Sequence, residues 1–191
     1  MRRVTSVAGR EGDEVIPRLE SERLILREWR RDDFEPLARF MADPDVTRYL
    51  TGEPLSRADA WRNMASLIGH WFLRGYGMWV VERKSDGAFL GRVGMNNPEG
   101  WPGLEVGWTL GKEYWGQGYA TEAARVAMRY AFLTQPVDGI ISVIHIDNSA
   151  SQAVAARLGE TRGARHDVHV AGKSFPTELW GITREEWMRV A

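Results

Sequence analysis

The ordered part of the chain opens on an alternation. Between residues 19 and 29, Leu24, Leu26 and Glu28 fall against Ile25, Arg27 and Trp29, a two-residue period that predicts a strand. Arg30-Arg31-Asp32-Asp33 then supplies a turn and N-cap chemistry. Phe34, Leu37, Ala38 and Met41 recur at helical spacing until Asp43-Pro44 stops the run. A second helix opens on Ser56-Arg57-Ala58-Asp59, carries Ala60, Met64, Leu67, Ile68 and Trp71 on one face, and ends at Arg74-Gly75-Tyr76-Gly77. Residues 78–83 and 89–95 read as a hairpin across Lys84-Ser85-Asp86-Gly87, with Gly91 and Gly94 marking bulges or a close backbone approach. A loop over 96–103 leads into a strand over 104–110, a small-residue stretch over 114–120 and an Ala-rich helix over 120–132. Its face of Ala120, Ala123, Ala124, Ala127 and Ala131 permits close packing on a sheet. Residues 139–145 read as a buried strand. Asp147-Asn148-Ser149 caps a short helix over 150–158 that Gly159 ends. Strands over 165–170 and 178–183 flank a turn at Ala171-Gly172-Lys173. The order β-α-α-β-β-β-α-β-α-β-β predicts an α/β (α+β) fold, a mixed and mostly antiparallel central sheet flanked by helices, with one parallel crossover.

Length changes this picture little: 191 residues suit one domain, here 17–191, preceded by a polar stretch over 1–16 that reads as a mobile arm. The net charge of -1 gives no global attraction to nucleic acid or an anionic membrane, so an anion site must be local. With no cysteine, a disulfide framework, a zinc–thiolate site and a Cys nucleophile are excluded, and a cytoplasmic protein is expected. His70, His145, His166 and His169 lack metal-motif spacing, and no metal is expected. No secretory signal or membrane-spanning run is present.

The candidate chemistry gathers at Tyr114-Trp115-Gly116-Gln117-Gly118-Tyr119-Ala120. A small-residue loop between a strand and a helix leaves backbone N–H groups free at the positive end of the helix dipole, a site suited to phosphate. A tight connection without a ligand is the alternative. A GxGxxG dinucleotide fingerprint fails on spacing.

Three stretches in series resemble the GCN5-related N-acetyltransferase (GNAT) superfamily, and within it the ribosomal-protein N-terminal acetyltransferase (RimJ/RimL-like) branch. They are Ser21 to Trp29 with Asp32-Asp33-Phe34, Glu105 to Leu110 followed by Tyr114 to Ala123, and Asn148-Ser149-Ala150-Ser151 with Ala156-Arg157-Leu158-Gly159. The resemblance implies the GNAT acyl-CoA N-acyltransferase fold and acetyl-CoA as cosubstrate. The donor's pyrophosphate would sit on Trp115, Gly116, Gln117, Gly118, Tyr119, Ala120 and Thr121. Gly118 and Ala120 match the family's loop pattern, whereas Trp115 replaces the usual Arg or Gln. A V-shaped gap between strands 104–110 and 139–145 would take the pantetheine arm, against the backbone of Trp108, Thr109 and Leu110. Asn148 would touch that arm, cap the following helix, or both.

The implied chemistry is direct transfer of acetyl to an amine in a ternary complex. Glu105 is the leading general base, with a solvated strand-edge carboxylate as the alternative reading, and His145 is the second candidate. The family's thiolate-protonating Tyr falls at Ala155 and is missing. Ser151 stands where the branch carries a Ser proposed to assist the thiolate. The acceptor wall would be residues 47–55, and Tyr49, Trp71, Trp79, Trp101 and Trp108 would line an aromatic slot. A protein N-terminus and a small-molecule amine both remain open as acceptor, as does a homodimer; no nucleic acid or membrane partner is expected. A non-catalytic acyl-CoA-binding sensor on the same fold is the competing reading.

Overall fold

The computed structural model describes residues 16–170 and 172–190. The stretch read as a mobile arm lies outside the described residues except for Ile16, as does Ala171 of the expected turn.

The first alternating run folds as two strands, β1 (Leu19–Glu20) and β2 (Leu24–Arg27). Ser21 divides them. Its Oγ accepts the Leu24 N–H at 3.1 Å, and the turn sets Leu19 opposite Leu26 in an antiparallel pair. Arg27 then anchors the first helix, α1 (Phe34–Met41). Its guanidinium donates twice to Asp33 at 2.8 Å and once to Glu82 at 2.6 Å, and Asp33 also accepts the Arg30 N–H. Pro44 ends one helix and starts another. It is the first residue of α2 (Pro44–Thr47), where a missing N–H costs nothing, and Asp43 caps that helix by accepting the Asp45 N–H. The long helix α3 (Arg57–Arg74) is capped by Ser56 and closed by Gly75 in the left-handed region.

The remaining strands are β3 (Met78–Arg83), β4 (Phe89–Asn96), β5 (Glu105–Leu110), β6 (Gly139–His145), β7 (Thr161–Arg165), β8 (Val168–Val170), β9 (Lys173–Phe175) and β10 (Thr177–Thr183). Between them lie α4 (Tyr119–Thr134) and α5 (Ser149–Leu158), and α6 (Arg184–Val190) follows β10. Eight strands form one sheet in the order β1-β2-β3-β4-β5-β6-β10-β7, and β8 pairs with β9 separately. Every neighbour in the large sheet is antiparallel except β5 and β6, which α4 connects. The small-residue face of α4 does what its alanines allow: Ala123, Ala124, Ala127 and Ala131 are wholly buried against β4 and β5. Helices α1 and α3 cover the other face, where Leu37, Met41, Met64 and Leu67 pack on Met78 and Val80. Among the described residues no helix is long and apolar enough to cross a membrane.

Both readings of Gly91 hold. The β3–β4 register shifts beside it, and a Cβ there would stand 2.3 Å from the Thr109 carbonyl oxygen. Trp71 and Trp79 are corrected: they do not line a slot. Both are core residues, 1% and 0% exposed, in edge-to-face contact at 4.7 Å, each with its indole N–H spent on a backbone carbonyl. The strand expected over 165–170 is instead the last residue of β7 and, after a break at His166-Asp167, the whole of β8. Strand β7 and helix α6 had no expectation. Thr161-Arg162-Gly163-Ala164-Arg165 is exposed along its length and shows no apolar period to read.

Candidate active site

The sheet opens where its one parallel pair occurs. Strands β5 and β6 are in register only at Glu105 and Ile141 and then part. The next ladder groups are met by side chains. Ser142 Oγ–H donates to the Val106 carbonyl at 2.9 Å, and Glu105 Oε1 accepts the Val143 N–H at 3.3 Å. Strand alternation then decides what faces the gap. The Gly111 N–H donates to Leu90 on β4, so the backbone groups of 107 and 109 turn to β4 and those of 106, 108 and 110 turn to the gap. The Leu110 carbonyl accepts from the Trp115 indole at 2.8 Å. The Trp108 N–H and C=O and the Leu110 N–H are left facing the opening, whereas the backbone groups of Thr109 point away from it.

Glu105 stands at the throat. It is 8% exposed, which overturns the solvated strand-edge alternative. Oε2 accepts from Asn96 Nδ2 at 3.0 Å and from Trp101 Nε1 at 2.8 Å. Burial raises its pKa to about 7 against the pull of these three donors, so near neutrality it can take up and release a proton. The 96–103 loop that brings Trp101 to it is pinned by His70. His70 Nδ1–H donates to the Tyr76 carbonyl at 2.7 Å, and Nε2 accepts the Asn97 N–H at 3.1 Å. Both ring nitrogens are thus occupied. His145 Nδ1 accepts the Asp147 N–H at 3.1 Å, which puts the neutral ring's proton on Nε2 and leaves Glu105 the better placed base. The ring of Tyr49 packs on His145 at 4.9 Å.

Across the gap, Asn148 caps α5 by accepting the Ser151 N–H at 3.1 Å. The Trp108 indole N–H donates to Ser151 Oγ at 3.2 Å, so the Ser151 hydroxyl proton is free for another acceptor. Ala155 is wholly buried and lies outside the cleft lining.

The loop before α4 has the geometry of an anion cradle. Gly116 and Gly118 take left-handed φ values of 71° and 80°, and Gly118 occupies the N-cap without a side-chain cap. The first N–H groups of α4 are therefore left to a ligand or water. Arg23, from the turn before β2, braces the loop: it donates to the Gln117 carbonyl at 3.1 Å, is neutralised by its pair with Glu122 and lies 4.4 Å over the Tyr119 ring. One cleft of ≈ 1760 Å³ runs past Trp115, Gly116, Gly118, Tyr119, Ala120 and Thr121, along Trp108, Thr109 and Leu110, past Asn148 and Ser151, to Glu105, Trp101 and Tyr49. The Gln117 side chain turns aside and donates to the Glu113 carbonyl.

Two buried ionisable groups had no expectation, Arg92 and Glu160. Arg92 shares the cleft with Glu105. Glu160, just past α5, lies 3.0 Å from Ser142 Oγ with its second oxygen unpartnered. Burial, with the Glu105 charge adding to it, raises the Glu160 pKa to about 8. As a neutral acid Glu160 donates to Ser142 while Ser142 donates to Val106. An acid raised from about 4.5 to about 8 stabilises the fold fully below 4.5, and that contribution is lost as pH rises to 8. Glu160→Gln is expected to unfold several degrees higher than wild type at pH 9 and near wild type at pH 5, measured by thermal melts.

A family model described as an acetyltransferase (GNAT) domain matches residues 23–161. The chain is 29% identical over 174 residues to an N-acetyltransferase, p20, of Bacillus licheniformis, covering 88% of this chain and 97% of the relative. It is 29% identical over 193 residues to the FsC-acetyl coenzyme A-N(2)-transacetylase of Aspergillus fumigatus, covering 91% and 79%. An acetyltransferase structure from Agrobacterium tumefaciens str. C58 superposes with a TM-score of 0.78 at 29% identity, covering 92% of this chain and all of that one. Structures of ribosomal-protein acetyltransferases, RimL in complex with coenzyme A among them, share the fold at 18–20% identity and TM-scores of 0.69–0.73.

Proposed function

The chain belongs to the GNAT acetyltransferase family and is an acetyl-CoA-dependent N-acetyltransferase; from that premise we propose that it moves the acetyl group directly to a primary amine, with Glu105 as general base. What carries this reading is the parting of β5 and β6 with a buried carboxylate at the throat. Acetyl-CoA lies with its pyrophosphate on the N–H groups at the start of α4 and its pantetheine arm in the gap, pairing with the Trp108 C=O and the Leu110 N–H. Thr109 helps to shape the wall. The acceptor enters from the side of Tyr49 and Trp101.

Glu105 takes the proton of the incoming ammonium, directly or through one water. The amine lone pair then forms the bond to the thioester carbon. A backbone N–H of β5 facing the gap, that of Trp108, steadies the oxyanion. When the C–S bond breaks, the proton still carried by the attacking nitrogen passes through Ser151 to the departing thiolate: the hydroxyl, one of whose lone pairs is held by the Trp108 indole, gives its own proton and takes that one in return, leaving the neutral amide and the free thiol. The acceptor class is a protein N-terminus or a small-molecule amine. The A. fumigatus relative bears the name of an acetyl coenzyme A-N(2)-transacetylase, which supports a nitrogen acceptor of either class, while the ribosomal-protein acetyltransferases share only the fold at their level of identity.

The sensor reading rests on the missing Tyr at 155. A buried Ala stands there, and in the catalytic reading the Ser151 hydroxyl that lines the cleft serves the thiolate instead.

Two measurements test the mechanism. Initial rates against both substrates are expected to give intersecting lines, the mark of a ternary complex; parallel lines would require an acetyl-enzyme and refute direct transfer. Ser151→Ala is expected to lower kcat about tenfold or more while acetyl-CoA affinity, read by calorimetry, stays within about threefold. A wild-type kcat removes Ser151 from the chemistry.

A further inference from the structure

Arg92 is a cation that the fold buries and leaves without a counter-ion. It sits in the otherwise apolar run Phe89-Leu90-Gly91-Arg92-Val93-Gly94-Met95 and is 9% exposed. Among the described residues no ion pair or hydrogen bond reaches its guanidinium, and its Nε is wholly buried without a partner. Arg27 is buried to the same degree and holds two carboxylates, Asp33 and Glu82. Burial lowers the Arg92 pKa to about 10, so the group stays charged at neutral pH. A buried charge left alone is destabilising, so a ligand that neutralises it relieves that penalty on binding.

The register shows what Arg92 faces. On β4 and β5, Arg92 pairs with Thr109, Gly94 with Gly107 and Asn96 with Glu105. Alternation places Arg92, Asn96, Glu105 and Thr109 on one face, the face of Met78 and Val80 and opposite the one α4 covers. Gly94 and Gly107, between the two charged residues, bring no side chain of their own, and the flexible end of Met78 lies over Gly107, where an acceptor spanning the two charges would displace it. Arg92 and Glu105 line the same cleft without touching. The acceptor side of the site therefore offers one buried carboxylate and, further along, one unpaired guanidinium.

We propose that Arg92 binds a carboxylate of the acceptor, so that the enzyme selects zwitterionic amines of the amino-acid type. The ammonium is directed to Glu105 and the carboxylate to the planar Arg fork, which fits it with two parallel hydrogen bonds. This deepens the acetyl-transfer reading above and rests on it.

The test compares matched acceptors, free amino acids against their primary amides, by kcat/KM. Wild type is expected to favour the free acids by about tenfold or more. In Arg92→Met, close in length and without charge, the ratio falls to near one; in Arg92→Lys, which keeps the charge and loses the fork, it falls part of the way. Thermal melts of Arg92→Met are expected at or above wild type, since an unpaired buried charge is removed. Acetyl-CoA affinity of both variants stays at the wild-type value. A wild type that prefers amides or makes no distinction overturns the proposal. So does an Arg92→Met protein that keeps the preference, or that loses acetyl-CoA affinity, which would assign Arg92 to the donor. Failure to acetylate either member of any pair also overturns this assignment, while acetyl-CoA turnover with an amine of another class, such as a peptide N-terminus, would leave the acetyl-transfer reading standing.

Discussion

Replacing Glu105 by Gln is expected to lower kcat by about 10²–10⁴-fold with acetyl-CoA affinity retained. All three partners of the carboxylate are donors: Asn96 Nδ2, Trp101 Nε1 and the Val143 N–H. Gln can keep its oxygen on the Asn96 and Trp101 side and turn its amide to Val143, giving up the longest of the three bonds. The throat is then kept while the proton acceptor is gone. The pH dependence sharpens the expectation. Glu105 is protonated below about pH 7 and ionised above it, so wild-type kcat/KM rises through that region. In Glu105→Gln that limb disappears, and only the titration of the acceptor amine is left. A variant with wild-type kcat and an unchanged acid limb would move the base elsewhere.

Gly118→Glu is expected to weaken acetyl-CoA binding by at least about 100-fold, through two effects that add. Gly118 has φ +80°, where a residue with Cβ is strained by roughly 1–2 kcal/mol. The new carboxylate would also stand beside the uncapped N–H groups of α4, opposing both the phosphates and the helix dipole. Gly118→Ala separates the two: it carries the strain without the charge, and its loss should be the smaller. Titration calorimetry with acetyl-CoA reads both, and thermal melts confirm that each variant is folded. Wild-type affinity in Gly118→Glu would remove the pyrophosphate from this loop.

Much of the frame is legible along the chain because apolar spacing and turn chemistry are local. The faces of α3 and α4, the Ser56 and Asn148 caps and the strand before Gly116 are each written within a few residues. Side-chain hydrogen bonds that redirect the backbone are harder to see. Ser21 divides an alternating run only because its hydroxyl meets the Leu24 N–H. Strand β7 has no apolar side to declare itself; the open edge of β10 recruits it. The site was legible where small residues are needed and opaque where charge is buried. Glu105 reads equally well as a solvated carboxylate until Asn96 and Trp101 are seen to enclose it. Arg92 is a lone charge in an apolar strand, which is the signal that could have singled it out. Glu160 carries none: its burial depends on β6 supplying Ser142 from 18 residues earlier. Arg23 acts on a loop 94 residues away.

The most direct measurement follows thiol release from acetyl-CoA on the wild-type protein, with and without an amine acceptor, and weighs the acetylated amine formed. Release that depends on the amine, with one acetylated amine for each free thiol, is the expected result. Tight binding of acetyl-CoA with no amine-dependent release, across amines with and without a carboxylate, would contradict it and leave a binding module in place of an enzyme.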